Sequence, residues 1–391
     1  MRYSSLTDQL MGLGTGRWAV HARAKARLEA GEEIVMLSIG EPHIATPPGI
    51  VEKAAESLRA GRTKYAIGRG EPALLRALAD RYSKRSGRTV AISQVTFFPG
   101  SHTALYALCQ TLLEEGDEIL VPEPFYAAYE GIIRASRASM VTVPLRPDNH
   151  FHLEIEALEK AVTPRTRVLL FNNPHNPTGA VLAPDLVREV AEFCDRHDLW
   201  LISDEAYEHL VYEGTFASAF DMERYWERTA VINSVSKSHA MTGWRCGWAV
   251  GSDELMNHVV AVSEAMMFGA QPFLQDATAY ALTHHFEESD RMYADYVRRA
   301  RLVTEILAQS DAVDCHMPEG GMFVMADVRA TGLTGEGFAW RLLDEGDVAT
   351  MPGESFGAAG AGHIRLSLTA NDGDLEVGCL RIVELAEGLV G

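Results

Sequence analysis

Between Val95 and Asp204 the chain alternates short, nearly unbroken apolar runs with stretches of helical periodicity, and no other feature narrows its fold so far. The runs are Val95–Phe98, Glu118–Glu123, Met140–Leu145, Arg167–Asn172 and Trp200–Asp204. Between them, Ala104–Leu113, Tyr126–Ser136, Leu153–Val162 and Pro184–His197 repeat apolar residues at spacings of three and four. A strand without polar alternation is buried on both faces, and strands separated by helices pair in parallel. The expected class is therefore α/β, a mostly parallel sheet flanked by helices. Thr229–Ser234 and Trp248–Gly251 predict two further strands.

Before this region, Arg17–Ala30, Pro48–Ala60 and Ala73–Ser86 predict helices, and Ile34–Ile39 an extended piece. Gly12-Leu-Gly-Thr-Gly16 has no strand before it and lacks the glycine spacing of a dinucleotide loop, so it reads as a flexible arm. Beyond the alternating region the pattern mixes. Helices are expected at Phe273–His285, Arg291–Gln309, Glu336–Asp344 and Asp374–Glu387, with strands at Met322–Asp327 and His363–Leu368. The division expected is an N-terminal arm over 1–45 packing with the small domain, a large domain over 46–285, and a smaller α+β C-terminal domain over 286–391.

The net charge of −19 argues against nonspecific binding to nucleic acid or an anionic membrane. No apolar run approaches the roughly 20 residues of a membrane helix, and the N-terminus lacks the apolar core of a signal peptide. Five dispersed cysteines with no C-x-x-C fit a reducing compartment, so a cytoplasmic setting is expected.

Candidate chemistry gathers where strands end, because ligands of open parallel sheets sit at the carboxyl edge. Lys237 lies between hydroxyl residues in Ser234-Val-Ser-Lys-Ser, and Arg245 follows in Gly243-Trp-Arg-Cys-Gly247. A lysine amine that condenses with an aldehyde, beside Ser234, Ser236 and Arg245 to hold a phosphate, suits a phosphate-bearing aldehyde cofactor. An exposed loop with a solvated lysine fits the same letters. Gly100-Ser-His-Thr-Ala104 opens a helix after a strand, which makes either an anion cradle or a plain turn. Asn172-Asn-Pro-His-Asn-Pro-Thr-Gly179 has two X-Pro steps that stiffen a loop and aim Asn176, or simply build a rigid turn. Asp204 closes an apolar strand and needs either a cation partner or a capping role. Arg365, inside the strand His363-Ile-Arg-Leu-Ser-Leu368, needs a carboxylate from a ligand or from another domain.

In this order along the chain, these pieces resemble the class I/II aminotransferases that use pyridoxal phosphate, of fold type I. The resemblance covers essentially the whole length and rests on Asn172–Gly179, Ser203-Asp-Glu-Ala-Tyr207, Ser234–Trp248 and the Arg365 strand. It implies that Lys237 holds the cofactor covalently and then moves the substrate proton. Asp204 would pair with the pyridine nitrogen, and Tyr207 and Asn176 would hydrogen-bond the ring oxygen. Ser101 and His102, Ser234, Ser236 and Arg245 would take the phosphate, and Tyr126 would stack on the ring. Arg365, with Gly40 and Asn176, would hold the substrate carboxylate. Tyr65 would reach the phosphate of a neighbouring subunit, which implies a homodimer with shared active sites.

Within the family, Met1-Arg-Tyr-Ser, Ser236–Arg245, Gly320-Gly-Met-Phe-Val-Met325 and Gly362-His-Ile-Arg-Leu366 make the chain most similar to bacterial arginine–pyruvate transaminases. His43-Ile44 departs from the usual Asp-Phe. The reaction implied is a ping-pong transfer of an α-amino group to a 2-oxo acid such as pyruvate. Aspartate, aromatic or branched-chain donors are alternatives, as is a lyase or oxidase of the same fold. A non-catalytic cofactor-binding regulator is disfavoured by the acidic charge and by a short N-terminal segment.

Overall fold

The computed structural model describes residues 2–14 and 16–391. Its larger sheet has seven strands in the spatial order Val95–Phe98, Gly247–Val250, Thr229–Ser234, Trp200–Asp204, Thr166–Asn172, Glu118–Glu123 and Ser139–Pro144. Gly247–Val250 runs antiparallel to both neighbours, and every other pair is parallel. Consecutive residues of each strand feed opposite cores, which is why the strands read as continuous apolar runs. Ile119, Val168 and Ile202 pack with Leu105 and Ile133 on one face, while Leu120, Leu169 and Leu201 pack with Val187 and Val190 on the other.

Helix Pro184–Arg196 begins with proline at its first turn, where no backbone donor is lost, and buries Val187, Val190, Ala191 and Cys194 on one stripe. A second sheet of four antiparallel strands has the order Met351–Pro352, His363–Ser367, Phe323–Asp327, Asp314–Cys315. Helices Glu287–Leu307, Gly335–Gly346 and Asp372–Val390 cover it through Val303, Leu307, Phe338, Leu342, Leu375 and Ile382. Val35–Met36 pairs in parallel with Val348–Ala349, which ties the N-terminal segment to this part of the chain.

Three differences from the sequence reading stand out. Of the expected flexible arm, Gly12 and Gly14 instead lie in the last turn of helix Ser5–Gly14 and Gly16 in a turn; Thr15 lies outside the described residues. Helix Asp253–Met267 was not anticipated, although Ser252 caps it by accepting from the Leu255 N–H. The helix expected from Tyr126 begins only at Tyr129, and the turn before it leaves Tyr126 free to face the sheet edge. Among the described residues no helix is long and apolar enough to cross a membrane, no group of side chains suits a metal ion, and all five cysteines are free.

Register delivers the site. Asn172 lies opposite Asp204, Asp204 opposite Ile232, Ser234 opposite Gly247, and Gly247 opposite Phe98. Four strand ends from distant parts of the chain therefore meet at one edge of the sheet.

Candidate active site

The strand ends surround a cavity of about 320 Å³. Ser101, His102, Tyr126, Asn176, Asp204, Tyr207, Ser234, Ser236, Lys237, Arg245, Arg365 and Gly40 all line it. Tyr65 does not. It is 88% exposed and meets Phe268 edge-on, with ring centroids 5.2 Å apart.

One end is built for an anion. Gly100 adopts φ +87° and starts helix Ser101–Leu112, so the first N–H groups of that helix point out of the sheet edge. Arg245, itself at φ +53°, lays its guanidinium against Gly100, where a Cβ would stand 2.4 Å from Nη2. A Cβ on Gly247 would stand 2.5 Å from the Ser101 nitrogen. The two glycines let the cradle and the arginine strand approach this closely.

The floor is a buried acid. Asp204 is 7% exposed, and no cationic side chain pairs with it among the described residues. Its Oδ2 accepts from the Tyr129 hydroxyl at 2.7 Å and its Oδ1 from the Ala206 N–H at 3.2 Å. Burial raises its carboxyl to about 6, against the lowering pull of those hydrogen bonds. The Ala206 contact is a turn and not a helix cap, since 206–209 continue as turn.

The loop after Asn172 is held from within. Asn172 Oδ1 accepts from the Asn176 N–H at 2.8 Å, and Asn172 Nδ2 donates to the Asp204 carbonyl at 2.9 Å. Both X-Pro bonds are cis. Asn176 Nδ2 donates to the Tyr207 hydroxyl at 3.3 Å, and Asn176 Oδ1 accepts from Arg365 Nη1 at 2.9 Å.

Lys237 donates from Nζ to the Gly40 carbonyl at 2.6 Å. Burial lowers its amine to about 8; Glu41 opposes that shift, and Arg365 and Arg245 add to it. A fraction of the amine is therefore neutral and nucleophilic near pH 7.

Arg365 is 3% exposed at the centre of strand His363–Ser367, between the rings of Phe323 and Phe356 at 3.9 and 4.6 Å from their centroids. Its Nη2 donates to the Ser38 carbonyl at 2.8 Å, and its Nε has no partner. Burial lowers its guanidinium to about 10. No carboxylate pairs with it among the described residues, so the inter-domain salt bridge considered from sequence is absent.

Sequence reasoning missed Tyr129, Ser38, Phe323, Phe356 and Trp18. Tyr129 stood in the motif Pro124-Phe-Tyr-Ala-Ala-Tyr129, but its contact with Asp204 spans 75 positions and leaves no local signal. His43, the departure from the usual acid, turns away from the cavity, with Nε2 3.1 Å from Asp295 Oδ2.

The family model for aminotransferase class I and II matches residues 32–382. The arginine–pyruvate transaminase of Pseudomonas aeruginosa is 45% identical over 391 residues, covering all of both chains. The aspartate/prephenate aminotransferase of Thermus thermophilus is 35% identical over 362 residues, 91% of this chain and 92% of that one. The solved structure of the Thermus thermophilus aspartate aminotransferase with maleate superposes with a TM-score of 0.91 at 33% identity, covering 98% of this chain and 100% of that one.

Proposed function

The chain belongs to the class I and II aminotransferases, and from that premise we propose that it uses pyridoxal phosphate to move the α-amino group of L-arginine to pyruvate. The arginine and pyruvate assignment rests on full-length similarity to the Pseudomonas aeruginosa enzyme, which exceeds that to the aspartate enzymes at 31–35%. The observation that carries the cofactor assignment is a set of unmatched groups in one cavity. There is an anion cradle, a buried acid without a cation, an amine of lowered pKa, and a buried arginine with an orphaned Nε. Their chemistry fits a phosphate, a pyridine nitrogen, an aldehyde and an α-carboxylate in turn.

When bound, the cofactor's ring draws electrons from the substrate α-carbon and so acidifies its proton. Ser101, His102, Ser234, Ser236 and Arg245 take the phosphate. Asp204 would pair with the ring nitrogen and favour its protonated form, Tyr126 would stack on the ring, and Asn176 and Tyr207 would hydrogen-bond the ring oxygen. Arg365 holds the α-carboxylate with Asn176 and Gly40, which fixes the α-carbon near Lys237. Lys237 Nζ holds the cofactor between turnovers and moves the proton from the α-carbon. The transfer runs in two halves, the donor leaving as a 2-oxo acid before pyruvate enters.

A homodimer with shared sites completes the proposal, with Tyr65 of each subunit reaching the other's phosphate. The exposed apolar cluster Tyr65, Ile67, Met266 and Phe268 supports a covering partner. The division into an arm over 1–45 and domains over 46–285 and 286–391, and a cytoplasmic setting with reduced cysteines, belong to the same reading.

A donor screen with pyruvate and 2-oxoglutarate as acceptors, run with and without oxygen, tests the assignment. Arginine with pyruvate should give alanine fastest, without oxygen uptake. A faster donor would replace arginine, and oxygen consumption would replace transfer by oxidation.

A further inference from the structure

Among the described residues, one side chain hydrogen-bonds the Asp204 carboxylate. Tyr129 donates to Oδ2 at 2.7 Å; the other bond to the carboxylate comes from the backbone of Ala206. Tyr129 is 2% exposed and sits at the first residue of helix Tyr129–Ala135, backed by Ile132, Ile133 and Leu105. The Tyr126 ring meets it edge-on at 5.5 Å, so Tyr129 buttresses both the acid and the ring-stacking aromatic.

The groups that face Asp204 from the surrounding elements are few. Tyr129 and Tyr126 come from segment 124–135, and Tyr207 from Asp204's own loop. The neighbouring strands bring Asn172 and Ile232, which carry no charge, and helix Ser101–Leu112 brings His102 to the cavity wall. None of these is a cation bonded to the carboxylate. A buried acid so placed is stabilised as an anion mainly by its donors. Burial and the nearby Asp204 charge hold the Tyr129 hydroxyl well above its ordinary ionisation range, so it remains a donor throughout the working pH.

We propose that Tyr129 is a positioning residue for the cofactor, its hydroxyl fixing the Asp204 carboxylate in the ionised form and orientation that a protonated pyridine nitrogen requires. This rests on the pyridoxal phosphate reading. Tyr129 lines the cavity and acts through Asp204. Removing the donor returns Asp204 toward its proton, so cofactor affinity falls off at a higher pH than in the natural chain. Lys237 also titrates in this window, but its contribution is common to both proteins.

The test is equilibrium binding of pyridoxal phosphate to the apoprotein from pH 5 to 9, followed by absorbance. The natural chain, Tyr129→Phe, Asp204→Asn and the double variant are compared, and apoprotein melting reports folding. The acid limb of the Tyr129→Phe binding curve should move up by about one pH unit, a tenfold change in proton affinity, and the curves should converge above pH 8. In the Asp204→Asn background, Tyr129→Phe should cost no further affinity, because the route through the acid is already gone. A Tyr129→Phe curve superimposed on that of the natural chain, or losses that simply add in the double variant, would overturn the proposal and leave the cofactor reading intact. If the natural chain takes up no pyridoxal phosphate at any pH, both fail together.

Discussion

Asp204 and Glu205 are consecutive buried carboxylates in surroundings that differ in kind. Glu205 is fully buried, and the protein supplies its partners. Arg85 Nη1 donates to it at 2.7 Å, and the Ser203 and Ser218 hydroxyls donate to its other oxygen. The same guanidinium reaches Glu208 at 2.6 Å, and Arg81 and Asn233 reach Glu208 from two other directions. Asp204, one residue earlier, has only neutral donors. The arginines repeat the contrast: Arg85 is flanked by Glu205, Glu208 and Asp221, whereas Arg365 is buried and pairs with no carboxylate among the described residues. Charges that hold the fold carry their counter-ions with them, and charges kept for a ligand are left unmatched. The structural cluster also serves the site, since Glu205 follows Asp204, Glu208 follows Tyr207, and Asn233 precedes Ser234.

The contrast breaks or holds by mutation. The largest effect should come from Arg85→Met, which strands Glu205 as a buried, uncompensated carboxylate and leaves Glu208 with Arg81 as its arginine partner. Denaturant unfolding of this variant should show a loss of about 3–5 kcal/mol. A loss below about 1 kcal/mol would place the cluster among weak surface pairs.

Arg365→Ala should act in the opposite compartment. Folding should change little, while the amino-acid KM rises about a hundredfold through loss of a charge-assisted pair, with kcat less affected. An unchanged KM would remove Arg365 from carboxylate binding.

The third effect depends on pH. Asp204 has its folded pKa raised to about 6, so between roughly pH 4 and 6 the folded apoprotein binds more protons than the unfolded chain. Its ionisation therefore costs stability above pH 6, a cost that disappears as pH falls below the unfolded value near 4. Asp204→Asn apoprotein should be more stable than the natural chain at pH 7, by up to roughly 3 kcal/mol, with the gap closing by pH 4. A variant less stable at pH 7 would mean that Asp204 is a structural acid like its neighbour.

Much of this was legible in the sequence because the relevant signals are local. The strand Trp200–Asp204, the proline loop Asn172–Gly179 and the lysine segment after Ser234 each announce themselves within ten residues. Twelve of the thirteen site residues read from the sequence line one cavity, counted from its lining. What escaped depends on contacts between distant segments. Tyr129 meets Asp204 across 75 positions and Arg85 meets Glu205 across 120, so neither pairing has a pattern in the letters. Helix Asp253–Met267 escaped for another reason: its buried positions Leu255, Met256, Val259 and Ser263 form a short stripe interrupted by a polar residue. Tyr65 lies outside the cavity of the single chain.

The most direct measurement concerns Lys237. Protein loaded with pyridoxal phosphate is reduced with borohydride, digested, and mapped by mass spectrometry. The account predicts one reduced pyridoxyl adduct, on Lys237, with no adduct and no alanine formed from pyruvate in Lys237→Ala. An adduct on another lysine, or full transamination by Lys237→Ala, would contradict it.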